Sequence, residues 1–281
     1  MKRVLPILLL VFSILILDVA NAQNLKLPQP SSTQTITQDF GLGTIKITYS
    51  RPNVKGRQIF GGLVPYGQVW RTGANSATVI SFSEDVEIEG HNVPAGDYAL
   101  FTIPKENEWM VILNKDTKQW GAYTHKESDD VLRFTAKPVK LSDKVETFSI
   151  QLENVYPTTA QLKLAWDRTA VSLNLKADVD TKAMASINEA MKGEKKPYMQ
   201  AAQYYYDNNK DLKKALEWIN AAEAAEPKAP WVKYWKARIQ LKGGDKNGAA
   251  RTAEAGIAAA KTINNEEYVR LNSQVLGDAK K

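Results

Sequence analysis

From Thr33 to Leu175 apolar and polar residues alternate in short runs. Thr44-Ile45-Lys46-Ile47-Thr48-Tyr49, Thr78-Val79-Ile80-Ser81-Phe82 and Asp85-Val86-Glu87-Ile88 set the pattern. Thr147-Phe148-Ser149-Ile150-Gln151-Leu152, Gln161-Leu162-Lys163-Leu164-Ala165-Trp166 and Ala170-Val171-Ser172-Leu173-Asn174-Leu175 close it. A side-chain period of two gives a strand with one buried face and one wet face. Turn-forming stretches separate the runs: Glu89-Gly90-His91-Asn92, Pro94-Ala95-Gly96-Asp97, Pro104-Lys105-Glu106-Asn107 and Tyr156-Pro157. About ten short strands with no helical pattern between them predict an antiparallel β-sandwich or barrel. It covers residues 33–176, with its clearest hairpins at Gly90 and Glu106.

The period changes near residue 177, and an α-helical domain is expected over 177–281. Met184, Ile187 and Met191 share one helical face, as do Ala215, Trp218, Ile219 and Ala222. Lys195-Lys196-Pro197, Glu226-Pro227 and Gly243-Gly244-Asp245 break the helices into short sequential pieces. Gln203, Ala215, Ile219, Ala222 and Pro227 are echoed 34 residues later by Ala237, Ala249, Ala253, Gly256 and Lys261. This is the period of tetratricopeptide repeats, whose paired helices need small residues where they cross. The stretch 196–229 resembles such a repeat at Tyr206, Ala215, Ala222 and Pro227, without its usual Trp-Leu-Gly opening. A second unit keeps the small crossing residues and lacks the closing proline. A helix at 265–277 is expected to cap the stack, and the resemblance implies a protein-interaction module.

Composition adds an address. Lys2 and Arg3 precede an apolar run from Val4 to Leu17, and Ala20-Asn21-Ala22 supplies small residues at the positions a signal peptidase reads. The run falls short of the ~20 residues that span a bilayer. A signal peptide over 1–22 and a linker over 23–32 are therefore expected, with export to the periplasm or beyond. The 281 residues contain no cysteine. Stability in an oxidising compartment must then come from core burial, not cross-links. Residues 23–174 balance their charges, whereas 175–281 carry 19 basic and 14 acidic residues. The lysines are spread out and read as a solvated face more readily than as a nucleic-acid surface.

Two segments could carry a site. Residues 57–75 hold four glycines and a proline and neither alternate nor follow a helical period. Such composition makes a shaped loop, and shaped loops host binding sites. Arg57, Arg71 and Asn75 supply donors there, and Tyr66 and Trp70 supply flat surfaces, a set suited to a carboxylate, a phosphate or a sugar face. The bland reading pairs the arginines internally and uses the aromatics as a plug. The second segment runs from a strand ending at Asn114 to Trp120-Gly121-Ala122-Tyr123. Aromatics beside an amide again suit a sugar, and equally suit a core.

The motifs Val54-Lys55-Gly56-Arg57, Ile59-Phe60-Gly61-Gly62-Leu63-Val64-Pro65-Tyr66-Gly67 and Val69-Trp70-Arg71-Thr72-Gly73-Ala74-Asn75 resemble the bacterial family called domain of unknown function 2911. Pro94-Ala95-Gly96-Asp97-Tyr98, Leu100-Phe101-Thr102-Ile103-Pro104, Trp109, Asn114 and Trp120-Gly121-Ala122-Tyr123 resemble it too. The match covers about 30–175. The resemblance implies an exported β-rich domain, often joined to tetratricopeptide-like helices, and carries over no catalytic residue. Asp97 and Thr124-His125 depart from the family's usual residues.

Enzyme signatures are missing. There is no HExxH spacing, no Gly-x-Ser-x-Gly elbow, no GxxxxGK[ST] loop and no dinucleotide fingerprint. No cofactor, metal, nucleic acid or transmembrane span of the mature chain is expected. The sequence points to a non-catalytic envelope protein that binds a small anionic or carbohydrate ligand, or a protein partner. The alternatives are an exported carbohydrate-active or ester hydrolase, which needs two acids across one cleft, and a purely structural scaffold.

Overall fold

The computed structural model describes residues 27–281. The expected signal peptide and residues 23–26 of the expected linker lie outside them. The chain divides into two compact units, with the boundary between Asp178 and Val179.

Among the described residues the first unit holds ten strands: β1 (Ser32–Phe40), β2 (Gly43–Arg51), β3 (Ala74–Phe82), β4 (Val86–Ile88), β5 (His91–Val93), β6 (Gly96–Pro104), β7 (Trp109–Asn114), β8 (Asp130–Ala136), β9 (Val139–Glu153) and β10 (Thr159–Lys176). They form two antiparallel sheets, β1-β2-β3-β6-β7-β8 and β5-β4-β10-β9. In β2 the alternation buries Ile45, Ile47 and Tyr49 and leaves Lys46 exposed. Ile150, Leu162, Leu164, Leu173 and Leu175 face them from the second sheet. The sheets are joined at Tyr49, whose hydroxyl accepts from Ile150 N at 2.8 Å and whose ring meets Phe148 edge-on at 5.7 Å. Burial raises the pKa of this phenol above its ordinary value.

The hairpins fall where the turn residues place them. Ile88 faces His91 across a two-residue turn, with φ of +48° at Glu89 and +83° at Gly90. Both central residues at positive φ make the turn that suits a twisted hairpin. Pro104 faces Trp109 across the turn at Glu106. One expectation is refined. The runs 161–166 and 170–175 belong to a single strand, β10, which passes through register shifts around Asp167, itself at φ +51°. A bulge lets a strand bend and continue without a turn.

The central strands β6 and β7 do not alternate. Tyr98–Thr102 and Val111–Asn114 are buried without interruption. Their second face carries Ala99, Phe101 and Ile112, which together with Ala77 are covered by Val69 and Ala122 from loops. That cover is what builds the candidate site.

The second unit holds six helices: α1 (Asp180–Ala190), α2 (Tyr198–Asp207), α3 (Leu212–Ala225), α4 (Pro230–Lys242), α5 (Lys246–Thr262) and α6 (Glu266–Ala279). Asp211 and Asp245, 34 residues apart, both cap helices: Asp211 Oδ1 accepts from Lys213 N at 2.8 Å, and Asp245 Oδ1 from Gly248 N at 2.8 Å. The sequence echo therefore marks equivalent positions in two helical hairpins. Ala215, Ile219, Ala249, Ala253 and Gly256 are all buried. At Gly256 a Cβ would lie 2.2 Å from Asn272 Oδ1, so only glycine allows α5 and α6 to approach this closely. Among the described residues no helix is long and apolar enough to cross a membrane.

Candidate functional site

Residues 69–71 are extended, and their alternation decides what each can do. Trp70 N donates to Thr102 O at 2.7 Å and Thr102 N to Trp70 O at 2.9 Å. The segment thus lies alongside β6 as a short bridge. Trp70 shares the inner face with Thr102, so Val69 and Arg71 share the outer one.

Inward, Trp70 is 8% exposed. Its indole stacks on Trp166 at 5.8 Å and 18°, and meets Phe60, Trp109 and Phe148 edge-on. The Nε1–H donates to Gly73 O at 3.0 Å. This cluster bridges the two sheets, and the indole offers a ligand neither a free face nor a free donor.

Outward, Arg71 meets the connection from β7 to β8. Ala77 N donates to Gln119 O at 2.9 Å and Gly121 N to Asn75 O at 3.0 Å, which fastens residues 119–121 beside the start of β3. Asn114 holds the same connection from inside. Fully buried, its Oδ1 accepts from Asp116 N at 2.9 Å and Gln119 Nε2 at 3.1 Å. Its Nδ2 donates to Lys126 O at 3.2 Å and Asp130 Oδ1 at 2.7 Å. Every polar valence of this side chain is taken, so it positions the loop and contacts no ligand. Asp130 adds His125 at 2.9 Å and Arg133 at 2.6 Å. The hydrogen bond to Asp130 raises the pKa of Arg133 above its ordinary value. Sequence reading missed this network, because its members are separated by a loop whose path the residues alone do not reveal.

The result is a cleft of about 380 Å³ lined by Leu63, Pro65, Gln68, Arg71, Ala122 and Tyr123. Its lining contains no carboxylate, serine or histidine. Tyr123 is 86% exposed and Trp120, on the same loop, 64%. Gly121 lies at φ +74°, and a Cβ there would come within 2.6 Å of the Tyr123 ring and 3.4 Å of Arg71 Nη1. Glycine is what lets the arginine and the tyrosine share this rim.

Among the described residues this unit contains five arginines. Arg51 donates to Phe148 O and Ser149 Oγ, Arg57 to Val54 O and Asn53 O, Arg133 to Asp130, and Arg168 to Ser142 O. Arg71 differs. Its Nε is sealed from solvent and has no acceptor, and no carboxylate among the described residues pairs with it.

The structure thus disperses the residues singled out from sequence. Trp70, Arg71 and Tyr123 line one cleft, Trp70 with its indole turned into the core, and Trp120 lies on the adjoining loop. Arg57 binds its own turn. Tyr66 lays its ring against Gly61, where a Cβ would come within 2.7 Å of it. Asn75 turns its amide to Ser50 Oγ at 3.3 Å and Ser31 O at 3.4 Å. Leu63, Pro65, Gln68 and Ala122 were not singled out, and as ordinary loop residues they carried no signal.

A larger groove of about 730 Å³ lies over the second sheet. Its two acids are engaged: Glu89 accepts from Asn174 N at 2.5 Å, and Glu87 sits 3.7 Å from Lys176. Asn154, Gln161 and Asn174 bond to one another in a row. Among the described residues no three histidine, aspartate or glutamate side chains converge to hold a metal.

No curated protein and no solved structure matches the chain. The family model described as Protein of unknown function (DUF2911) matches residues 31–175, which takes in all ten strands except Lys176, the last residue of β10. Covering just over half of the chain, that match makes this protein a member of the DUF2911 family.

Proposed function

We propose that this is an exported, non-catalytic binding protein whose β unit takes a small carboxylate-bearing ligand in the Arg71 cleft. The helical unit serves it as a partner-binding module. The observation that carries the reading is the arginine left without an acceptor in a unit where the other four described arginines have one. A guanidinium presents two parallel N–H donors to a carboxylate, and the pairing is strongest where water is partly excluded. Gln68 adds an amide, and Tyr123 a flat surface for the ligand's apolar part. The cleft volume is at the lower end of the ~300–1,000 Å³ usual for small-molecule sites. The ligand is accordingly of metabolite size.

The test is a thermal-shift screen of the mature protein against organic acids, each with its neutral amide as control. A ligand present at a hundred times its Kd adds about 2.7 kcal/mol to stability. For a unit of this size that corresponds to a rise of roughly 5–10 °C in Tm. The shift should vanish in Arg71→Ala and persist in Arg57→Ala. Acids that shift neither form, or that shift Arg71→Ala as strongly as wild type, refute the assignment. N-terminal sequencing of the envelope-fraction protein tests export: the proposal requires a chain that begins at Gln23.

A further inference from the structure

We infer that the helical unit holds an anion-accepting groove, centred on Arg238, for an acidic segment of another protein. This rests on the reading of the helices as a partner-binding module and assigns that partner its chemistry. The groove, about 530 Å³, lies between α2, α4 and α6. Tyr206 comes from α2, Tyr234, Arg238 and Lys242 from α4, and Leu271 and Val275 from α6.

The four basic residues that α4 carries at positions 233, 236, 238 and 242 are treated in two different ways. Lys233 and Lys236 share one carboxylate, Glu223, at 2.7 and 2.6 Å. Arg238 and Lys242 receive none: no carboxylate among the described residues lies within ion-pair distance of either. Aromatic rings hold them instead. The Arg238 guanidinium lies 4.4 Å from the Trp235 ring centre, 4.6 Å from Tyr206 and 5.3 Å from Tyr234. Lys242 Nζ lies 4.4 Å from the same Tyr206 ring and donates to Tyr206 O at 2.5 Å. The acid in the groove wall, Asp278, is bonded to Lys281 Nζ at 2.8 Å.

Two cations one helical turn apart repel each other. Ring faces attract both without neutralising either. The groove therefore keeps a concentrated positive charge over an apolar floor of Leu271 and Val275. An extended segment with an aspartate or glutamate beside an apolar residue satisfies both features. Its carboxylate meets the exposed edge of Arg238, where two N–H donors lie in a fixed plane, and its apolar side chain covers the floor. A compact inorganic anion would leave that floor wet.

Fluorescence anisotropy on the full mature chain tests this. One probe is a labelled pool of nine-residue peptides with glutamate at the centre and degenerate, leucine-rich flanks; the other has glutamine at the centre. The glutamate pool should bind at least tenfold more tightly, and its advantage should shrink with added salt. Arg238→Gln should bring it down to the glutamine pool, and Lys242→Gln, which leaves the Arg238 cage in place, should weaken it several-fold. Lys261→Gln, at an exposed position of α5, should change nothing. Far-UV circular dichroism confirms that each variant is folded. Equal binding of both pools, lost in Arg238→Gln, overturns the acidic assignment and leaves the module reading standing. Binding of neither pool overturns both. A glutamate preference that survives both groove variants places the site elsewhere and overturns the assignment.

Discussion

Removing the Trp70 side chain separates scaffold from site. The indole is 8% exposed and touches Trp166, Phe148, Trp109 and Phe60. Trp70→Ala opens a cavity where the two sheets meet and takes the indole donor from Gly73 O. Truncating a buried aromatic to alanine costs about 3–5 kcal/mol. The site's edge-on and stacked partners and its lost hydrogen bond place it near the upper end of that range. At about 2–4 °C per kcal/mol for a unit of this size, the melting transition of the β unit should fall by roughly 10–20 °C. Trp70→Phe keeps a ring in the cluster and loses the N–H, so it should cost only about 1–2 kcal/mol. Differential scanning calorimetry reads the melting transitions, and far-UV ellipticity identifies the one that belongs to the helices, which leaves the other to the β unit. A Trp70→Ala protein that melts within about 3 °C of wild type would refute the reasoning, since a bridging indole cannot leave so small a mark. Folded Trp70→Phe should also keep any carboxylate response that depends on Arg71.

Asn114→Ala strands four buried or half-buried partners and should destabilise the β unit by about 2–4 kcal/mol. Hydrogen exchange should show lost protection at Ala77 and Gly121, whose amides hold the 119–121 segment, while β2 and β10 stay protected. In the helical unit burial alone would raise the Glu223 carboxyl, but its hydrogen bonds to Lys233 and Lys236 outweigh that and hold it below its ordinary value. A lowered carboxyl stabilises the fold above its unfolded pKa of ~4.3, and loses that contribution as pH falls through the lower folded value. Glu223→Gln should accordingly cost about 1–2 kcal/mol at pH 7. The gap to wild type should close below pH 4 in urea melts of the helical transition, and a gap independent of pH would contradict the pairing.

What the sequence shows depends on whether burial is one-sided. Strands β2, β3 and β4 alternate because one face meets water, and their pattern is readable residue by residue. β6 and β7 are covered on both faces, so Ala99, Leu100 and Phe101 give an unbroken apolar run that conceals which side faces the second sheet. Nor does the run say that Val69 and Ala122 supply the cover. Asp167-Arg168 resembles a turn, and only the register shift shows that β10 passes through it. In the helices the echo was legible because close crossings demand small residues at fixed intervals, as Gly256 against Asn272 demonstrates. The site was half legible. A glycine-rich stretch with arginines and aromatics marked the region where the cleft lies. It did not reveal that the backbone is extended at 69–71, which sends two adjacent side chains to opposite faces.

That division explains how one loop can be both scaffold and site. An exposed arginine with water at every nitrogen would say nothing about function. Arg71 has its Nε sealed without an acceptor, although charges balance over residues 23–174 and the other described arginines of the unit have found partners. Pairing it internally would have required only an acceptor nearby, and burying a polar N–H unpaired is unfavourable. The backbone that holds it there is equally particular: Thr72 at φ +51° and Asn75 at φ +59° are conformations that side chains disfavour. The Thr72 turn is fastened from below, where Thr78 Oγ1 donates to Thr72 O at 2.6 Å. Trp70 anchors the same turn in the core. The anchor therefore sets the angle at which its neighbour meets the cleft, and changes at Trp70 and Arg71 should separate cleanly. The first should lower stability with recognition preserved in the folded fraction, and the second should remove recognition with stability preserved.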